Sequence, residues 1–456
     1  MNITRHYLTV NGRRVHYRKC GAGSPVLMVH QSPRSSAEYE PLMTEWGKHF
    51  TCIAPDTPGF GQSDPLPITE PDINDYADAI VEFVAALGAP KIAAYGFHSG
   101  GIILITALKR HPELFSGVAA GGYAIWNEAE RIAFGANYTP PFLPQPYGEH
   151  LVWGWNRILE QSWFFPWYDA DVKTRLPGAH DDPMRVDAIM REILDAGDSF
   201  RLGYAAVLKA PRDIPPPESI TPPVLITAYA ADPLHAHLAR LGQMPANWKA
   251  YSVDTPEHQQ EASRDFLKAN SAPALTTYPE DGNQGFVAVK TAGFDGLIHW
   301  QGDPASAEML IHAPGREAEL LTANALRIDL PGHGLSSAWA GDAPTIWSDW
   351  QAVIDAIASH FGVQTIRHEP LPSGDPDRLY PDLTPDRFGH YLVTAWAKAR
   401  ASHFFAPWYE ASAANAISFA KQDIDLNRLA QETRANIRGT AAKALHIARQ
   451  KTGDLD

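Results

Sequence analysis

The sequence predicts an α/β fold laid down in two successive passes. Three observations carry that reading. Short apolar runs that read as strands alternate with stretches of helical periodicity. One such run, Lys91-Ile-Ala-Ala-Tyr95, passes through a tight Gly-containing turn straight into an apolar helical stretch around Ile102 to Ile105. The pattern of the first 270 residues then recurs, in part, from about residue 286 onward.

The elements follow in order. Residues from Arg5 to Arg18 alternate apolar and polar about Asn11-Gly12, a hairpin signal. Pro25 to His30 and Phe50 to Asp56 are short apolar strands. Ile80, Phe83, Val84 and Leu87 share one helix face over Asp75 to Leu87. Lys91 to Ala94 is a strand, followed by the turn and helix above. From about 121 to 212 the texture changes to clustered prolines and crowded aromatics. Strands return at Pro222 to Ala228 and Trp248 to Val253, and a helix runs on to about Asn270. His235 and His237 read as surface or loop histidines.

Composition narrows the function. The chain has 456 residues, room for more than one domain, with 45% hydrophobic and 20% charged residues, as in ordinary globular proteins. A formal charge of −14 argues against nucleic acid or an anionic membrane as partner and leaves a neutral or aromatic small molecule open. Cys20 and Cys52 are far apart in sequence and have no ligand-like spacing, which fits a reducing compartment. The first residues lack the pattern of a secretory signal, and no run approaches the roughly 18 apolar residues of a membrane span. The expected location is the cytoplasm.

Gly96-Phe97-His98-Ser99-Gly100 resembles the nucleophile elbow, G-x-nucleophile-x-G, of the α/β-hydrolase superfamily. Asp56-Thr-Pro-Gly-Phe-Gly resembles that family's D-x-P-G-x-G loop, and His30-Gln31-Ser32-Pro33 stands where its His-Gly-x-Pro lies. The resemblance implies a mostly parallel sheet with helices on both faces and a helical cap over about 121–212. It implies no cofactor and no metal. It carries the following roles: His98 at the apex in place of Ser, Asp232 as acid, His258 as the distal histidine, and the N–H groups of Gln31 and Ser99 as oxyanion donors. His30 reads first as a histidine bracing its loop, and Asp56 as a cap or brace of its own. Most cap aromatics pack cap on core; Trp153, Trp163, Trp167 and Tyr168 are the candidates for a pocket lining.

With His98 at the apex several chemistries compete. An imidazole can attack an acyl carbon, or serve as general base. Ser99 would be the nucleophile if the turn shifted by one residue, and a site without catalysis would only bind. The leading expectation is a hydrolase cleaving an ester, amide or C–C bond of a small apolar or aromatic carbonyl compound. The alternatives are a lyase or decarboxylase with His98 as base, and a ligand-binding pseudoenzyme.

Residues 271–285 read as a linker and 286–456 as a degenerate repeat. Val15 to His30 sets beside Leu297 to His312 without a gap, and Asp56-Thr-Pro-Gly beside Asp329-Leu-Pro-Gly. Gly148-Glu-His-Leu-Val-Trp-Gly-Trp155 parallels Gly389-His-Tyr-Leu-Val-Thr-Ala-Trp396. No elbow, acid or distal histidine follows in the second pass. Its expected roles are to flank the sheet, cover the cap or form a surface for a homo-oligomer. Lys451 to Asp456 read as a frayed tail.

Overall fold

Asn11 and Gly12 both take positive φ, 49° and 80°, the two-residue turn that matches strand twist. They join β1 (Thr4–Val10) to β2 (Arg13–Gly21) with Val10 opposite Arg13. This hairpin edges an eight-stranded sheet in the computed structural model, which describes residues 2–279 and 281–452; the end of the expected tail lies outside them. The remaining strands are β3 (Pro25–Val29), β4 (Thr51–Pro55), β5 (Ile92–Phe97), β6 (Phe115–Gly121), β7 (Val224–Tyr229) and β8 (Trp248–Val253). Their order is β1-β2-β4-β3-β5-β6-β7-β8. β1–β2 and β2–β4 are antiparallel and every later pairing is parallel, so the sheet is mixed. β3 and β4 are buried at every residue, which is why they read as unbroken apolar runs.

Helices Ile73–Ala86, Ser99–Arg110 and Pro256–Ala269 flank this sheet. Asp72 and Asp75 form a capping box at the start of the first. Between β6 and β7 come the cap helices Glu128–Asn137, Glu149–Gln161, Pro183–Ala196 and Ser199–Leu208. Cys20 and Cys52, distant in sequence, stand opposite each other across β2 and β4 as free, buried thiols.

The chain divides into two compact units, residues 1–143 with 156–280, and 144–155 with 281–456. The sequence reading left 144–155 with the first half. The second unit has its own sheet of β9 (Gln284–Lys290), β10 (Asp295–Gln301), β11 (Glu308–Ile311), β12 (Leu326–Ile328) and β13 (Thr365–His368), ordered β13-β11-β12-β10-β9. Ile298, Met309, Ile328, Trp350, Ile354 and Leu445 belong to its core. After β13 the described residues contain helices but no further strand of a sheet. No helix among them is long and apolar enough to cross a membrane.

Candidate active site

The turn after β5 brings backbones together so closely that side chains are excluded. A Cβ at Gly100 would lie 1.8 Å from the Val29 carbonyl oxygen, and one at Gly96 would lie 2.4 Å from the Gly100 carbonyl carbon. Between them His98 takes φ 47°, ψ −110°, outside the regions an L-residue favours. Such backbone strain at a cavity wall is a mark of a functional position. His98, not Ser99, is therefore the apex residue.

The His98 ring stacks on Phe97 with centroids 3.9 Å apart and planes 19° from parallel. Its Nε2 lies 3.1 Å from both carboxylate oxygens of Asp232, which sits just after β7. The Asp232 side chain is fully buried, while that of His98 is 21% exposed. Burial alone would raise the Asp232 carboxyl. The His98 ring and the Leu234 N–H, which donates at 2.7 Å, outweigh it and hold the group below the usual carboxylate range. An ionised carboxylate only accepts, so Nε2 is the nitrogen that donates to Asp232. The sequence reading missed Gly122. A Cβ there would lie 2.3 Å from His98 Cδ2 and 2.6 Å from an Asp232 oxygen. Its position at the C-terminal end of β6, next in the sheet to the elbow strand, was the available signal.

His98 lines a cavity of about 110 Å³, with Asp232 buried behind the ring. Gln31, Ser32 and Ser99 form its polar floor, and Trp126, Tyr138, Phe165 and Tyr204 its aromatic walls. The Tyr204 and Tyr138 hydroxyls are 3.4 Å apart.

The structure corrects four readings. His258 is exposed in the first turn of helix Pro256–Ala269, and its backbone N–H is capped by Thr255. It is not brought to the cavity. Asp232 bonds the elbow imidazole directly, so no second ring stands between apex and acid. Gln31 is at the cavity, but its backbone N–H donates to Glu38 at 2.7 Å and its side-chain amide donates to the same carboxylate at 2.9 Å. Ser32 N–H donates to Ser99 Oγ at 3.1 Å. The oxyanion loop thus has its donors engaged, and the Ser99 N–H, at a helix start, is the remaining predicted donor. The four expected pocket aromatics do not line the cavity. Trp163 donates to the His180 carbonyl and Trp167 to the Tyr138 carbonyl. Tyr168 packs edge-on to Tyr138, and Trp153 is half-buried in the second unit. Finally, His237 is buried in the short helix His235–Arg240 rather than a surface or loop histidine. It accepts from the Ile125 N–H and meets Trp126 edge-on, steadying a cavity wall.

His30 and Asp56 serve as braces. Nε2 of His30 accepts from the Thr57 N–H at 2.9 Å, so Nδ1–H donates to the Gln31 carbonyl, and burial pushes the ring down to about 4. Asp56 accepts from His16 Nδ1 at 2.8 Å and from the Ser36 and Gln62 N–H groups. Glu38, which the sequence reading passed over, is a buried carboxyl raised to about 7 by its burial. No cluster suited to a metal ion occurs among the described residues.

Residues 24–158 match the family model described as alpha/beta hydrolase fold. That stretch holds strands β3 to β6 of the mixed sheet, with the elbow turn between β5 and its helix. The chain is similar to the soluble epoxide hydrolase of Corynebacterium sp. (strain C12), with 36% identity over 101 residues, 22% of this chain and 35% of that protein. It is 32% identical over 113 residues to haloalkane dehalogenase 2 of Mycobacterium tuberculosis (strain ATCC 25618 / H37Rv), 25% of this chain and 40% of that one. It is 33% identical over 118 residues to 2-(acetamidomethylene)succinate hydrolase of Mesorhizobium japonicum, 26% of this chain and 42% of that one. The chain spans less than half the length of these curated relatives.

Proposed function

We propose that the chain is a hydrolase needing no cofactor, cleaving an ester, amide or C–C bond of a small apolar or aromatic carbonyl compound, with His98 in place of the usual elbow nucleophile. The observation that carries this reading is the direct bond between the His98 ring and the buried Asp232 carboxylate at a strained elbow. The relatives are named as hydrolases or a dehalogenase, which supports the reaction class.

Asp232 accepts the Nε2 proton and orients the ring, so Nδ1 is free to take a proton from water. The water oxygen adds to the carbonyl carbon, and the Ser99 N–H and its helix terminus favour the oxygen that becomes negative. Asp232 stabilises the imidazolium that results, and His98 returns the proton to the leaving group. The aromatic walls select an apolar acyl or aryl group.

A panel of aryl and acyl esters, lactones, amides and diketones tests this. His98→Ala is expected to lower kcat/KM by about 10²- to 10⁴-fold. Asp232→Asn should fall comparably, because it reverses the tautomer. An inert parent protein across the panel would sink the hydrolase and leave the ligand-binding pseudoenzyme.

One observation favours a second reading, a lyase or decarboxylase using His98 as general base. Glu38 engages the backbone N–H of Gln31 and one N–H of its amide, so the backbone donor expected for an oxyanion is already taken. Exchange of a substrate proton for deuterium in D₂O, without net hydrolysis, would select it.

We further propose that the second unit is a truncated copy of the first. The order β13-β11-β12-β10-β9 repeats β5-β3-β4-β2-β1. His299 Nδ1 meets Asp329 at 2.8 Å as His16 meets Asp56, and His312 accepts from Leu330 N–H as His30 does from Thr57 N–H. Asp56→Asn and Asp329→Asn should each destabilise by about 3 kcal/mol or more, since each leaves a buried network unpaired. Denaturant unfolding in which Asp329→Asn is silent would make the likeness superficial.

A further inference from the structure

Helix His390–Ala401 buries Tyr391, Leu392, Ala395, Trp396 and Ala399. On the same side it buries Lys398, which is 8% exposed. An ammonium taken out of water without a counter-charge is costly, and core lysines are normally paired. The Nζ of Lys398 has no hydrogen-bond or ion-pair partner among the described residues. Its Nζ stands 4.9 Å from the centre of the Tyr380 ring, and burial pushes it down to about 8.

Lys398 opens onto a cavity of about 460 Å³ within the second unit, walled by Leu371, Leu379, Tyr380, Phe405 and Trp408. The other cations at its edge are engaged. Arg316 pairs with Glu369 at 3.0 Å, and Arg428 and His403 share Glu432 at 3.1 Å and 2.7 Å. The cavity therefore has apolar and aromatic walls and one unneutralised cation.

The same device occurs in the first cap. Arg157 follows Gly148 by nine residues, as Lys398 follows Gly389 (157 − 148 = 398 − 389 = 9). Arg157 is also buried and meets no carboxylate among the described residues. It lies 5.1 Å from the Trp167 ring centre and donates to Gln161, which lines the His98 cavity. A buried cation thus stands nine residues after a left-handed glycine in both helices.

We infer that Lys398 is the anchor of a binding site, in the second unit, for a small carboxylate with an apolar or aromatic body. The carboxylate takes the ammonium as its counter-ion and the body fills the space between Tyr380, Phe405 and Trp408. This site is independent of the chemistry assigned to His98.

Benzoate and its neutral analogue benzamide are the probes, used on the full chain. Benzoate should bind the parent about 10- to 100-fold more tightly than it binds Lys398→Met, the range for a hydrogen bond to a charged group, and benzamide should not compete. Calorimetry reads the affinity. Labelling by trinitrobenzenesulfonate, followed by peptide mass spectrometry, reads the site: benzoate should slow modification of Lys398 and leave exposed lysines unchanged. Lys398→Met removes an unpaired buried charge, so its Tm should not fall, which separates lost binding from lost folding. Equal benzoate affinity in parent and variant, absence of binding in both included, would overturn the inference. So would a labelling rate at Lys398 that benzoate leaves unchanged.

Discussion

Gly122 leaves the space in which His98 and Asp232 meet. Its φ of 59° places it where side chains are strained, and any Cβ would wedge between His98 and Asp232. Gly122→Ala is expected to part the two and lower kcat/KM about as far as His98→Ala does, while unfolding stability drops by only about 1–2 kcal/mol. A variant with parental activity would show that the pair is not the catalytic unit. Several contributions at this scale were invisible in sequence. Asp232 was legible because it follows an apolar strand at the family's spacing. His258 matched the same order, but order along a chain does not fix which ring reaches the acid. The elbow histidine is itself long enough to do so. Gln31 looked like a donor until its acceptor, Glu38, came into view seven residues on and one turn away.

Among the elements, the helix pair Glu149–Gln161 and His390–Ala401 repays attention. Trp155 lies on Gly389 and donates to the Arg387 carbonyl at 3.2 Å; Trp396 lies on Gly148 and donates to the Pro146 carbonyl at 3.2 Å. Both glycines take left-handed φ, 70° at Gly389 and 82° at Gly148. The exchange is reciprocal: each tryptophan covers the glycine that precedes the other's helix. A Cβ would stand 2.6 Å from the Trp155 ring at Gly389 but 3.1 Å from the Trp396 ring at Gly148. Gly389→Ala should therefore cost more than Gly148→Ala, about 3 against about 1–2 kcal/mol, in denaturant unfolding of the second unit. The reverse order would refute the packing. Strands and helices were readable from apolar runs and period. Which face of an aromatic helix meets the cavity was not, because a tryptophan signals burial without naming its neighbour. Lys398 was hidden for a related reason: a lysine on an amphipathic helix looks like a solvated one.

At the scale of the molecule, buried imidazoles set the response to acid. Burial holds His16 and His333 down at about 3, and His30, His150 and His237 at about 4; four of these, His16, His30, His237 and His333, suffice for the ranking, and all are neutral when folded. Unfolded, they take up protons below about 6.5. The stability they lend is complete above that pH and drains away as pH falls toward 4. Glu38 and Glu317, raised to about 7 by burial, act with opposite sign: their contribution is whole below about 4.5 and is lost as pH rises through 7. Four histidines outweigh two carboxyls, so Tm should drop by several degrees between pH 7 and pH 5. A higher Tm at pH 5 would reverse this ranking. The split of the chain into 1–143 with 156–280 and 144–155 with 281–456 also has a bearing on synthesis. Trp396 is made 241 residues after Trp155 (396 − 155 = 241). At about 5–20 residues per second that is about 12–48 seconds of translation. Through that interval the stretch 144–155 has emerged without the Arg387 carbonyl, Gly389 or Tyr391 against which Trp155 packs. Nascent chains stalled before residue 387 should be cut by protease within 144–155, and chains released past residue 450 should resist.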